Sequence, residues 1–198
     1  MKKKIFEIDE LRLKLKKLKN YKPSMKVVLC HGVFDIIHIG HIRYFKEAKK
    51  KGNFLIVSVT ADKYVNKGIG RPYFKSSLRL EFLSSIKEID AICISNNASA
   101  VSNINKIKPN YYLKGPDFKN LQSDLSKKIY AEKKAVEKNG GKLIFSKDIT
   151  FSSSSIINAY FDKPNEINQK FINRVKKTKF TNELINNINK ISKLKILV

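Results

Sequence analysis

The chain has 198 residues, enough for one domain with a real core and a short appendage, and too few for a large modular enzyme. A formal charge of +24 and a pI near 10.0 point first to a nucleic-acid partner. Only five of the 41 basic residues are arginine (Arg12, Arg43, Arg71, Arg79, Arg174), and the lysines are spread along the whole chain. Specific recognition leans on arginine forks and stacking aromatics, so a solvated lysine coat is the better reading and nucleic acid is an unlikely partner.

Residues 1–24 carry Ile8, Leu11, Leu15 and Leu18 at helical spacing, which predicts an amphipathic helix. This stretch contains acidic residues and no long apolar core, so it reads as neither a signal peptide nor a membrane span. A break at Tyr21-Lys22-Pro23-Ser24 precedes MKVVLC, a buried first strand. The next window, HGVFDIIHIGHIRYF (His31 to Phe45), holds all three histidines of the chain. Beyond Ile39 the period turns helical through Ile42, Phe45 and Ala48, with Gly52 placed as the C-terminal cap. NFLIVSVT is a second strand, and Ala61 to Lys75 a loop rich in Lys, Gly and Pro. Ser76 or Ser77 opens a helix through Leu78, Phe82 and Ile86.

AICIS is a third strand, Val101, Ile104 and Ile107 mark a helix stopped by Pro109, and YYLK is a fourth strand. Leu125, Ile129 and Val136 belong to a helix ended by Asn139-Gly140-Gly141; KLIFS is a fifth strand, and a serine run leads into Ile156. Strands alternating with helices predict an α/β, Rossmann-like, doubly wound parallel sheet of five strands with helices on both faces, over residues 25–162. Ligands in such folds bind outside the carboxyl ends of the strands, where the first strand delivers the histidine window. Residues 163–198 form a Lys- and Asn-rich stretch with a helical pattern along Leu184, Ile185, Ile188 and Ile191. It ends in LKILV, which we expect to be the first strand of a further domain. Cys30 and Cys93 close apolar runs, as free buried thiols do, and fit a reducing cytoplasm.

The letters HIGH within the window admit several uses. Two histidines three apart at a helix start project on one face, where free backbone N–H groups and the helix dipole attract anions, and Gly40 leaves room for a phosphate. A metal would need further ligands, and Asp35 is the one obvious local carboxylate, so no metal site is expected of the protein itself. A histidine here could also be a hydrogen-bonded core residue. An aminoacyl-tRNA-synthetase-like module or an RNA-associated protein would use the same letters, but the chain shows neither a KMSKS-like second loop nor an anticodon-binding module.

GVFDIIHIGHIRYFKEAKKKGNFLIVSVTADKY resembles the opening of the cytidylyltransferase-like nucleotidyltransferases, in particular glycerol-3-phosphate cytidylyltransferases and the adenylyltransferase domain of bifunctional heptose-phosphate enzymes. KGIGRP (Lys67 to Pro72) is similar to the family's basic loop, Ser76 to Arg79 to its following helix start, KPNYYLKGPDF to the heptose enzymes' Lys-Gly-Gly-Asp-Tyr segment, and FSSSSII to its serine-threonine phosphate motif. The resemblance implies transfer of CMP or AMP from CTP or ATP to a phosphorylated sugar, polyol or similar acceptor, with Mg²⁺ and in a homodimer. It assigns His38, His41, Lys67 and Arg79 to catalysis at the phosphates. It gives Gly32, Val33, Phe34, Asp35, Gly40, Arg71, Lys114, Gly115, Asp117, Ser152, Ser153 and Ser154 to the nucleotide. The sequence departs from the pattern at His31, where Thr or Asn is common, at Pro116 in place of the second glycine, and in lacking the arginine that glycerol-phosphate enzymes place before the serine motif.

Overall fold

The computed structural model describes residues 3–67, 70–116 and 128–147. The expectations for Asp117, Leu125, Ser152, Ser153, Ser154 and the stretch 163–198 lie outside the described residues.

The elements run α1 (Ile8–Tyr21), β1 (Val27–Gly32), α2 (Ile39–Lys51), β2 (Phe54–Thr60), α3 (Ser76–Ser84), β3 (Ala91–Ser95), α4 (Val101–Ile107), β4 (Tyr111–Lys114), α5 (Lys128–Lys138) and β5 (Lys142–Phe145). All five strands are parallel in the order β3-β2-β1-β4-β5, with Cys30 opposite both Val57 and Leu113. This is the α/β doubly wound architecture, and the chain reverses its direction of travel between β1 and β4. A crevice therefore opens at the carboxyl ends of those two strands.

Period-two alternation sends β1 residues to both faces, and each face is covered. Val27 and Leu29 join Ile56, Cys93 and Tyr112 under α1, α4 and α5, whereas Val28 and Cys30 join Leu55, Val57 and Leu113 under α2 and α3. Burial pushes the Cys30 and Cys93 thiols up to about 12, as expected of packing residues.

Three local features depart from the expectations. The residues ahead of α1 are not only a lead-in: Ile5 bridges Ile92, Phe6 N–H donates to Ile92 C=O and Ile92 N–H to Lys4 C=O, which covers the open edge of β3. Ser76 does open α3, but the side chain that receives its amide comes from outside the helix. The carboxylate of Asp62 reaches across from the preceding loop and accepts from both Ser76 N–H (3.1 Å) and Ser76 Oγ (3.2 Å). Gly52 does follow α2, but with an extended φ of −156°; a Cβ there would stand 2.5 Å from Lys26 O. Close approach to β1, not a left-handed turn, requires glycine. Gly141 stands in the same relation to the Pro109 carbonyl ahead of β4.

Candidate functional site

β1 runs two residues past its apolar run, so that His31 and Gly32 still pair with Ser58 and Val59 before the chain turns. Phe34 then adopts a left-handed φ of 51°, uncommon for a large side chain. Its ring folds back over Gly32, where a Cβ would be 3.1 Å from Cζ, and packs against Phe45 and the edge of His41 at 5.4 Å each. Gly32 is thus needed to seat Phe34, and Phe34 in turn backs the His41 ring.

His38 is the N-cap of α2. Its Nδ1 accepts from Gly40 N–H at 3.2 Å, which leaves the proton on Nε2, and its carbonyl accepts from His41 N–H. The Gly40 and His41 amides are therefore committed within the turn, so an anion here would meet imidazole rather than these N–H groups. The His38 and His41 rings lie 3.9 Å apart, centroid to centroid. His41 Nδ1 is buried and has no hydrogen-bond partner among the described residues. Burial, the neighbouring His38 and the charge of Lys67 push His41 down to about 3, and burial lowers His38 as well, so His41 is neutral at physiological pH.

The basic loop supplies the charge. Lys67 is lowered by burial and then by Arg71, against an opposing pull from Asp35, which groups these three with His41. Asp35 is 4% exposed and does not stand open to a ligand: it accepts from Arg71 Nε (2.8 Å), Tyr73 N–H (3.0 Å) and Phe74 N–H (3.0 Å). It anchors the loop to β1. Arg71 Nη2 is buried with no partner among the described residues, so the same arginine that is pinned through Nε keeps a second donor uncommitted.

Arg79, expected at the phosphates, lies in the interior. It is 1% exposed, and its guanidinium is spent on Phe74 C=O, Val33 C=O, Thr60 C=O and Asp62 Oδ1 (2.6 Å). Three carbonyls and a carboxylate take four of its five N–H donors, so it steadies the Val33 turn from behind. Lys114, at the end of β4, is also buried and is paired with Glu132 Oε2 at 3.1 Å; Gly115 follows it.

Sequence reasoning missed a polar layer beneath the crevice. Asn103 Nδ2 donates to Ser58 Oγ (2.8 Å), Ser58 Oγ meets His31 Nδ1 (3.1 Å), and His31 Nε2 meets Thr60 Oγ1 (3.4 Å), which reaches Gly32 C=O (3.4 Å). Burial and then Lys114 push His31 down to about 4, so the ring is neutral and links α4 to the β1 turn. The signal was present in β2, where Ser58 and Thr60 interrupt an apolar strand on one face.

Among the described residues, no group of three His, Cys, Asp or Glu could hold a metal ion, and Asp35 already accepts from three donors. These residues do not fit a Mg²⁺ held by the protein alone. No helix among them is long and apolar enough to cross a membrane.

A family model described as cytidylyltransferase-like matches residues 29–159. The bifunctional protein HldE of a Nitratiruptor species is 33% identical over 130 residues, covering 63% of this chain and 28% of that protein. The FAD synthase of Thermoplasma acidophilum is 34% identical over 102 residues, covering 52% of this chain and 72% of the relative. Among solved structures, a lipopolysaccharide core biosynthesis protein from Thermoplasma volcanium superposes with a TM-score of 0.52 at 30% identity, covering 64% of this chain and 99% of that one. A pantoate-beta-alanine ligase from Francisella tularensis superposes with a TM-score of 0.53 at 17% identity, a likeness of fold alone, the match covering 96% of this chain and 86% of that one.

Proposed function

Since the chain belongs to the cytidylyltransferase-like family, we propose that it is a nucleotidyltransferase that moves AMP or CMP from ATP or CTP to a phosphorylated sugar, polyol or similar small acceptor and releases pyrophosphate. The observation that carries this reading is the His38–His41 pair: two rings 3.9 Å apart at a helix start, one with a buried nitrogen unpartnered among the described residues, beside Lys67 and Arg71.

The chemistry asks little more of the protein than position and charge. The acceptor's phosphate oxygen attacks the α-phosphorus, the bond to the bridging oxygen breaks, and pyrophosphate leaves with that oxygen and its electron pair. His38, with its proton on Nε2, and neutral His41 donate hydrogen bonds to the phosphate oxygens as charge builds, while the Lys67 ammonium and Arg71 Nη2 balance that charge. No side-chain nucleophile is needed. Mg²⁺ would arrive as counter-ion of the triphosphate, held mainly by phosphate oxygens.

The choice of base and acceptor follows from likeness. The product named in FAD synthase carries an adenine, which favours ATP; the HldE likeness, of which this chain spans only 28%, and the resemblance to heptose-phosphate enzymes favour a sugar phosphate. The same reading carries with it a homodimer working in the cytoplasm. The test is a pyrophosphate-release screen of ATP, CTP, GTP and UTP against sugar, polyol and flavin phosphates. His38→Ala and His41→Ala should each cost on the order of 10²–10³ in kcat. Turnover unchanged in both variants refutes the site.

A further inference from the structure

Glu132 lies on α5, apart from every motif of the site, yet it is 2% exposed and its carboxylate receives four donors. Oε1 accepts from Ala100 N–H (2.9 Å) and Ser99 Oγ (3.2 Å), at the start of α4. Oε2 accepts from Tyr112 OH (2.9 Å) and pairs with Lys114 Nζ (3.1 Å). The two oxygens are thus divided between two tasks, one holding a helix start and the other holding an ammonium.

The ammonium is the informative partner. Lys114 is the last residue of β4, and Cys30 pairs with Leu113, so Lys114 stands beside His31 where β1 and β4 open the crevice. Its charge is felt by the His31 ring, and its Nζ also lies 5.3 Å from the centre of the Tyr112 ring. A buried ion pair is a poor source of stability, because two apolar residues of like volume serve as well or better. Placing one at the mouth of the ligand crevice suits a need for charge at a fixed point. One further link joins that point to the histidine helix, where Tyr44 of α2 donates to Leu113 C=O, and His31 leads through Thr60 to Gly32 C=O at the end of β1.

We propose that Glu132 is a positioning residue of the nucleotidyl-transfer site, acting through Lys114, whose ammonium it holds at the carboxyl end of β4 for contact with the bound substrate. The inference rests on the reading of the crevice as that site. Burial alone would raise the Glu132 carboxyl, but Lys114, the Ala100 amide, His31 and Tyr112 together hold it below the usual carboxylate range, so Glu132 stays a carboxylate near neutrality.

Glu132→Gln separates the two tasks, since the amide oxygen can still serve Ala100 and Ser99 while the amide nitrogen faces Lys114 as donor against donor. We expect KM for the triphosphate to rise about tenfold with kcat changed less than about threefold, the pattern of lost binding that is equal in ground and transition states. Lys114→Met should do the same, and Glu132→Gln added to Lys114→Met should cost no more than about twofold further. Thermal melting of each variant reports any structural loss separately. A Glu132→Gln protein with lowered Tm but kinetic constants within twofold of the parent, or one whose effect adds in full to that of Lys114→Met, overturns the proposal. A parent protein that turns over no pair in the screen overturns the nucleotidyl-transfer reading, and this inference with it.

Discussion

Arg71 donates through Nε to Asp35 at 2.8 Å while its Nη2 is left without a partner among the described residues. One side chain is therefore both a clasp for the basic loop and a donor held ready. Asp35→Ala should remove the clasp and leave a buried guanidinium uncompensated, which costs about 3–5 kcal/mol in stability. Urea unfolding measures that loss. In the protein that stays folded, KM for the triphosphate should rise as well, because Arg71 and the Tyr73 and Phe74 amides lose the anchor that holds the loop against β1.

Arg79 makes a second, separable prediction. Lysine in its place keeps the charge but not the fork that meets Phe74, Val33 and Thr60 carbonyls together with Asp62. Arg79→Lys should destabilise the fold by about 3 kcal/mol, seen as a lowered urea midpoint. Its loss should show mainly in the scaffold, in contrast to that of His41→Ala, which should show in kcat.

The histidines set an acid limit. His31 at about 4 and His41 at about 3 both lie below the ordinary value of 6.5, so the unfolded chain binds protons that the native one refuses. Their contribution is complete above pH 6.5 and is lost as pH falls from there towards 4. Stability should fall across that window with an uptake of about two protons on unfolding. Urea midpoints between pH 4 and 7 measure it, and a flat profile would contradict the neutral burial of both rings.

Gly52→Ala tests the scaffold without touching the site. Its Cβ would press on the Lys26 carbonyl and Val28, so we expect a loss of about 1–3 kcal/mol by thermal melting with pyrophosphate release per folded molecule unaltered.

Alternation and helical spacing made the five strands and their helices legible, because burial on both faces leaves runs such as VVLC and AICIS that little else produces. The same regularities say nothing about which polar groups meet. Arg79 has a loop-side basic position in the sequence, and its interior course depends on three carbonyls brought together only by the folded chain. Asp62 capping a helix 14 residues on, and Glu132 meeting Lys114 and Ala100, are contacts between elements and leave no local period. Ile5 at the edge of β3 was hidden for the opposite reason, since a single bridged residue is too short for any pattern.

The two bare α-carbons at positions 52 and 141 flank the central pair of strands at the amino edge of the sheet, each pressed to a carbonyl just ahead of β1 or β4. Asn53 and Phe54 amides hang on Lys26, the Asn110 amide on Val27 and the Lys142 amide on Asn110, so backbone bonds stitch this edge from β2 across to β5. The seam between β1 and β4 continues to Cys30 and Leu113, which leaves the loops beyond it, and not the strands, to shape themselves around a guest.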